Sequence, residues 1–487
     1  TSREDILLIV EPVLMAPLRR EWQQVQAEAR WLAGQRDATR GRKHQQQQEQ
    51  WQHRLMVRVF PWCASNAWIY TDDQCTDDVH PIERTPDVSA TTSSLPVLVA
   101  GGGIGGLAAA LALVRRGYRV QVFEQAPEIG EIGAGIQLGP NAFHAFDALG
   151  VGDKARSRAV FTDRMVMHDA IDESLVGEIP TGEAFRARFG NPYAVIHRVD
   201  VHLSLLEGAQ ETGRVEFRTS TRIVNVAQDA DGVTAYDQNG NAYRGLALIG
   251  ADGVKSVVRE QFVGDPPRVT GHVVYRSVVD KKDFPADLQW NAASLWAGPN
   301  CHLVHYPLRG GEQYNVVVTF HSRQKEEWGV TEGSKEEVQS YFQGICPKAR
   351  QLIDLPKSWK RWATADREPI GQWTFGRTTL LGDAAHPTTQ YMAQGACMAL
   401  EDAVTLGEAL RVKDNDWTAA LDLYQRSRIA RTARIVLSGR EMGRLYHAKG
   451  VERLVRNSLW KGRPPERFYD ALEWLYGWNV GNCLAAD

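Results

Sequence analysis

Leu95-Pro96-Val97-Leu98-Val99-Ala100-Gly101-Gly102-Gly103-Ile104-Gly105-Gly106 decides the fold. Six mostly apolar residues run into a cluster of glycines. An Ala- and Leu-rich stretch follows from Ile104 to Arg116 and stops at Gly117. The pattern predicts a short buried strand, a tight turn and a helix. Tyr118-Arg119-Val120-Gln121-Val122-Phe123 then predicts a second strand. Strand, helix and strand within about 30 residues form the opening unit of a doubly wound parallel sheet. Gly101, Gly103 and Gly106 fall in the pattern GxGxxG at the place where it has meaning, after a strand and at the head of a helix. Gly101 permits the turn, Gly103 lets backbone N–H groups approach a diphosphate, and Gly106 lets the helix lie close on the strand. The free N–H groups and dipole of the helix start favour the anion. Glu124, ending the second strand, is placed to accept hydrogen bonds from a ribose diol.

The rest of the chain bounds the answer. Its 487 residues allow two or three packed units. A net charge of -3 gives no global field for nucleic acid or an anionic membrane. No apolar run approaches the roughly 18–20 residues of a membrane span. The six cysteines lack CxxC spacing, which argues against a zinc site or disulfide scaffold, predicts no metal, and fits a reducing cytoplasm. Residues 1–93 stand apart, with the run His44-Gln45-Gln46-Gln47-Gln48-Glu49-Gln50 and an Asp- and Pro-bearing linker. They read as a poorly ordered extension and are assigned no function.

Beyond the opening unit, short strands and turns run from about 215 to 279, with Asn239-Gly240 as a hairpin turn and Ala247–Gly250 as a buried strand. Leu295 to Phe320 alternates and suggests a large antiparallel sheet. Thr378–Leu381 is another strand, and Gln394–Arg411 and Trp417–Lys449 are long helical patterns. The organisation expected is an FAD- or NAD-type dinucleotide domain over 94–265, a β-sheet substrate domain over 266–365, a return to the first domain over 366–405, and a helical region over 406–487.

GxGxxG alone does not separate FAD from NAD. Two later motifs bear on it. Asp252-Gly253 follows a strand, and Gly382-Asp383, with His386-Pro387 close behind, follows another. Asp383 is placed to bond ribityl or ribose hydroxyls, and Gly395 opens a helix whose N-terminus can face a flavin. In that order these motifs resemble the group A flavoprotein aromatic monooxygenases, over about residues 94 to 487. The resemblance implies an α/β protein with a Rossmann-like FAD-binding domain, an antiparallel-sheet substrate domain and C-terminal helices. It implies bound FAD and transient NADH, with NADPH left open, because no second GxGxxG exists. It also implies that Arg198, in His197-Arg198-Val199-Asp200, lies near the FAD, that Asp252-Gly253 meets FAD and NAD(P)H, and that Asp383 binds the ribityl chain.

Gly130–Asn141 is similar to salicylate-type hydroxylases. Gln390–Asp402 and Trp474–Val480 are similar to members of the family that hydroxylate 3-hydroxybenzoate para to its hydroxyl, giving 2,5-dihydroxybenzoate (gentisate) from NADH and O2 through a flavin C4a-hydroperoxide. That resemblance puts Tyr193, His302, Tyr306 and Gln390 in the substrate pocket. The ring attacks best as a phenolate. Ionising a phenol that titrates near 10 at neutral pH asks for about 4 kcal/mol. His302 and Gln390 can accept or relay that proton, while Tyr193 and Tyr306 offer O–H donors and wall the pocket. His302 and Tyr306 share one strand face and His305 lies on the other. Without the resemblance, a histidine there reads as structural. His386 reads as a loop residue supporting the FAD site, Cys301 and Cys397 as core, and the aromatics of 474–478 as helix packing. Decarboxylative hydroxylation of salicylate or 6-hydroxynicotinate is the alternative within the class. A flavin dehydrogenase that does not use O2 is the alternative outside it. The resemblance leaves a homodimer open.

Overall fold

A computed structural model describes residues 95–130 and 133–485; the extension expected over 1–93, and Glu131 and Ile132, lie outside the described residues. The opening unit forms as read. Val97–Ala100 is a strand buried along its length, Ile104–Arg115 is the helix, and Val120–Phe123 pairs parallel to the first strand. The sheet grows to six strands in the order Thr374–Phe375, Thr378–Leu380, Leu248–Gly250, Val97–Ala100, Val120–Phe123 and Val215–Arg218. All pairs are parallel except the outermost one, Thr374–Phe375 with Thr378–Leu380. Continuous Val/Leu runs suit such a sheet, because helices cover both faces of its central strands.

The stretch from 215 to 279, read as one run of strands, divides among three sheets. Val215–Arg218 and Leu248–Gly250 join the parallel sheet. Ile223–Gln228, Val233–Asp237 and Ala242–Gly245 make a separate meander, with Gly240 at φ +82 in its turn. Arg268–Asp280 enters the large sheet. Local alternation reveals each strand but not its partner, and here the partners are remote in sequence.

The large sheet has eight strands, in the order Gly329–Gly333, Trp359–Asp366, Arg268–Asp280, Gln313–His321, Cys301–Leu308, Ala292–Gly298, Arg164–Asp169 and Leu175–Pro180. Its last two strands come from within the segment expected to belong wholly to the dinucleotide domain. Arg164–Asp169 attaches by pairing parallel to Ala292–Gly298, so the boundary between the two units does not follow the sequence order. The central strands carry more than an alternating pattern. Every residue of Cys301–Leu308 is buried, because both faces are covered.

One face packs Tyr275, Trp296, Phe320 and Trp359 with the helix Pro347–Asp354 into its own core. The other faces the three-stranded sheet of Gly135–Leu138, Ala194–His197 and Val160–Phe161. Gly135 shows how close that approach is. A Cβ there would stand 2.5 Å from the Tyr306 ring. Two long helices close the molecule, Gly395–Val412 and the 30-residue Trp417–Tyr446. The first lies on the helix after the glycine turn, where a Cβ on Gly407 would be 3.4 Å from Ala112. Among the described residues no helix is long and apolar enough to cross a membrane.

Candidate functional site

The glycine turn has the shape its sequence predicts. Gly101 adopts φ +106, and a Cβ on it would lie 2.3 Å from the Ala251 carbonyl oxygen. A Cβ on Gly106 would lie 1.9 Å from the Gly101 carbonyl oxygen, so helix and turn touch through backbone. A Cβ on Gly103 would meet nothing within 4 Å. The turn is therefore closed at 101 and 106 and open at 103, the place a diphosphate needs. No side chain caps the helix that begins there. Glu124 accepts hydrogen bonds from the N–H groups of Gly102 (2.9 Å) and Ala126 (2.8 Å). Glu124 thus braces the turn.

Asp252 lies against the same turn. Its Oδ2 accepts from the N–H groups of Val257 (2.7 Å) and Val258 (3.2 Å), at the start of the helix Val257–Phe262. Its Oδ1 is buried without a hydrogen-bond partner, and burial raises the carboxyl above the usual range. A buried, unpartnered carboxylate oxygen beside an open glycine turn fits a ligand hydroxyl. Gly253 follows at φ +78. Gly382, at φ +62, turns the chain so that Asp383 is exposed. Asp383 Oδ1 comes within 4.0 Å of the Cβ position of Gly395, the first residue of an 18-residue helix that no side chain caps. Asp252 lies beside the glycine turn and Asp383 beside Gly395, and the open turn with its unpartnered carboxylate oxygen fits a dinucleotide such as FAD. Arg198 opens the helix Arg198–Glu211, and a Cβ on Gly133 would be 3.2 Å from its Cβ.

His386, expected to support the FAD site, is buried in the loop after Gly382. Its Nε2 lies 2.6 Å from Asp402 Oδ2, which also accepts from the Gly382 N–H (2.9 Å). Arg428 Nε reaches Asp402 Oδ1 (2.7 Å), and Arg431 grips Glu401 with two bonds of 2.7 Å. Burial pushes the Asp402 carboxyl up, but His386 and Arg428 outweigh it and hold it at about 2.

Of the four residues expected in the substrate pocket, His302 and Tyr306 lie on the strand Cys301–Leu308 of the large sheet, Tyr193 precedes the strand Ala194–His197, and Gln390 opens a short turn. His302 pairs in register with Thr319, and Tyr306 with Asn315. Gln390 Nε2 donates to Thr319 Oγ1 at 3.3 Å, bringing Gln390 beside His302. Tyr193 is buried and donates to Gln137 Oε1 at 2.5 Å. Burial, then the neighbouring His272, lowers His302 to about 3, so the ring is neutral at pH 7. Burial raises the Tyr306 hydroxyl. Asn315 donates nothing through its buried Nδ2, while its Oδ1 accepts from the Gly135 N–H at 2.9 Å.

Several neighbours carried no local signal. Arg276, on the strand Arg268–Asp280, has its Nη1 3.4 Å from the Gly135 carbonyl oxygen and lies over the Trp362 ring. His272, four residues earlier on the same face, accepts or donates with the Tyr391 hydroxyl at 2.7 Å. Their even spacing is visible in the sequence, but its meaning depends on the strand's partner. His447, just past the long helix, touches His302 and could not be found from spacing. Tyr476, expected only to pack helices, stacks edge-on against Tyr193 with centroids 6.1 Å apart. His305 faces the opposite side, against Trp296 and Phe284. Cys301 and Cys397 are buried, as read.

The family described as FAD binding domain matches residues 94–438. A protein named 3-hydroxybenzoate 6-hydroxylase, from Polaromonas naphthalenivorans (strain CJ2), is 84% identical over 400 residues, covering 82% of this chain and 100% of that one. A protein of the same name from Klebsiella oxytoca is 64% identical over 389 residues, 80% of this chain and 98% of that one. Among solved structures, Klebsiella pneumoniae HpxO complexed with FAD and uric acid is similar, with a TM-score of 0.69 and 27% identity, covering 79% of this chain and 97% of that one.

Proposed function

The chain belongs to the FAD binding domain family, and on that premise we propose that it is an FAD-dependent monooxygenase converting 3-hydroxybenzoate to 2,5-dihydroxybenzoate with NADH and O2. The observation that carries the substrate is the near-identity with a relative named for that reaction, across that relative's whole length. Bound FAD would supply the redox chemistry, hydride acceptance from NADH and activation of O2.

The chain's own residues supply the rest. Gly101, Gly103, Gly106 and the helix start hold the diphosphate; Glu124, Asp252 and Asp383 hold sugar and ribityl hydroxyls; Gly253, Gly382 and Gly395 shape the turns that present them. Arg198 and Arg276 both lie by the segment Gly133–Gly135 and make it electropositive. That suits a site binding anions. On the sheet face, His302 accepts the phenolic proton. A neutral imidazole has a free lone pair, and burial keeps His302 neutral. Gln390 orients the same hydroxyl. Tyr193 and Tyr306 enclose the ring, and Tyr306 presents a protonated hydroxyl to it. Gly135 leaves room for the Tyr306 ring, since a Cβ there would stand 2.5 Å from it. Dependence on NADH accords with a cytoplasmic location.

The test is a screen of hydroxybenzoates for stimulated NADH consumption, with the product identified. Gentisate formed from 3-hydroxybenzoate without carbon dioxide is the expected outcome. Carbon dioxide released from salicylate, with no turnover of 3-hydroxybenzoate, would move the assignment to the decarboxylating hydroxylases. NADH oxidation without a hydroxylated product would make it a dehydrogenase.

A further inference from the structure

His302 does not stand alone. Its Nδ1 lies 2.8 Å from Nε2 of His447, the residue just past the C-terminus of the helix Trp417–Tyr446. The two rings are 5.0 Å apart between centroids. Their relation is fixed by backbone. The His447 carbonyl accepts the N–H of Asn300 at 3.0 Å, two residues before His302 and at φ +59 in the turn that starts its strand. His447 is partly exposed, whereas His302 is buried. Beyond it stand His272, 5.5 Å from His447 between ring centroids, and His321, 5.1 Å from His272 and exposed at the strand end. The Tyr391 ring flanks His447 as well.

Two neutral imidazoles bonded nitrogen to nitrogen must share one proton, one ring donating and the other accepting. We infer that His447 is the outer half of a proton relay that carries the substrate's phenolic proton from His302 to solvent. The inference rests on His302 as the base proposed above. The step balances. The phenol O–H bond breaks as an N–H bond forms at His302 Nε2. The proton on His302 Nδ1 passes to His447 Nε2, and the proton on His447 Nδ1 leaves to water. The bond between the rings survives with its donor reversed, and the relay resets when the product phenolate takes a proton back. His447 acts through His302, so it is a positioning and relay residue and does not touch substrate. The electrostatics agree. After burial itself, His302, His272, His321 and Arg456 all disfavour a cation at His447, and the other titratable neighbours, the rings of Tyr391 and Tyr446, are phenols that burial keeps protonated. Arg456 is held by Asp169 and Asn457. Neither ring stores the proton, so both pass it on.

The experiment uses the FAD-loaded full chain and its His447→Gln variant. Glutamine keeps a hydrogen bond to His302 but cannot exchange tautomers. Product formed per NADH consumed at pH 7 falls by about tenfold or more. The deficit closes as pH rises toward the phenol's own titration near 10, and added imidazole restores part of it, while FAD retention is unchanged. A deficit equal at every pH, or no deficit, overturns the relay. A parent enzyme that does not turn over 3-hydroxybenzoate would instead remove the base assignment on which the relay rests. A second measurement needs no variant. In ¹⁵N-histidine-labelled protein at pH 7, both rings should be neutral, each in a single tautomer. A cationic ring at either position overturns the proposal.

Discussion

At the residue scale the central feature is a histidine that burial keeps uncharged. His302 is 3% exposed, and it sits between a hydroxyl-bearing strand partner and a second imidazole. A base with so low a pKa is a weak acceptor in isolation. Its effect comes from position and from passing the proton outward. His302→Ala should lower hydroxylation by roughly 10²–10⁴-fold and divert reduced flavin to peroxide release. FAD content should stay equal to the parent's, because the nucleotide cradle lies elsewhere. Flavin lost together with activity would make His302 a structural residue. The opposite behaviour belongs to His305, the same residue type three positions along the strand and on its other face. It packs on Trp296 and receives its indole N–H at 3.3 Å, with no route to the site. Strand parity separates the two histidines in the sequence; chemistry alone does not.

At the scale of elements, the strand–turn–helix of residues 97–115 was legible almost to the residue, because every constraint on it is local. The glycines of that turn also make a paired prediction. Gly106→Ala puts a methyl group 1.9 Å from a carbonyl oxygen, so the protein without flavin should be destabilised by several kcal/mol. Gly103→Ala meets nothing within 4 Å, so the same protein should unfold within about 1 kcal/mol of the parent, yet bind FAD at least tenfold more weakly. Urea unfolding and flavin-fluorescence titration distinguish the two; equal stability losses would refute the reading of the turn. The large sheet was less legible. Its strands could be read, but Arg164–Asp169 pairs with Ala292–Gly298 across more than a hundred residues, and no periodicity encodes a partner. For the same reason His302, Tyr306 and Gln390 were reached through resemblance, and His272, Arg276 and His447 were not reached.

For the whole molecule, the helices Gly395–Val412 and Trp417–Tyr446 are joined by ions out of water. Arg428 is fully buried against Asp402 and Glu401, and Arg431 and Asn141 complete the shell of Glu401. Removing one member strands the others. Arg428→Met should cost about 3–5 kcal/mol in urea unfolding, and loosen flavin through the Gly382 N–H that Asp402 holds. A loss below 1 kcal/mol would show that the network is replaceable. Acid should act on the molecule as a whole. His302 and His305 are each lowered to about 3 by burial, against about 6.5 unfolded. Above pH 6.5 neither state binds the proton, and these groups do not affect stability. Below it the unfolded chain binds protons that the folded chain refuses. Stability therefore falls as pH drops from 6.5 toward 3, by up to about 1.4 kcal/mol per pH unit for each histidine. His305→Gln should flatten that slope between pH 6.5 and 5; an unchanged slope would contradict the assignment.

The order in which the parallel sheet is assembled has a further consequence. Its first strand in the chain is Val97–Ala100, which pairs with Leu248–Gly250; that strand pairs in turn with Thr378–Leu380, and Asp383 and Gly395 come later still. A nascent polypeptide emerging from the ribosome exposes the diphosphate turn early and the groups that grip the rest of the coenzyme near its end. If those groups hold FAD as proposed, a truncated translation product ending before residue 378 should emerge colourless and open to proteolysis.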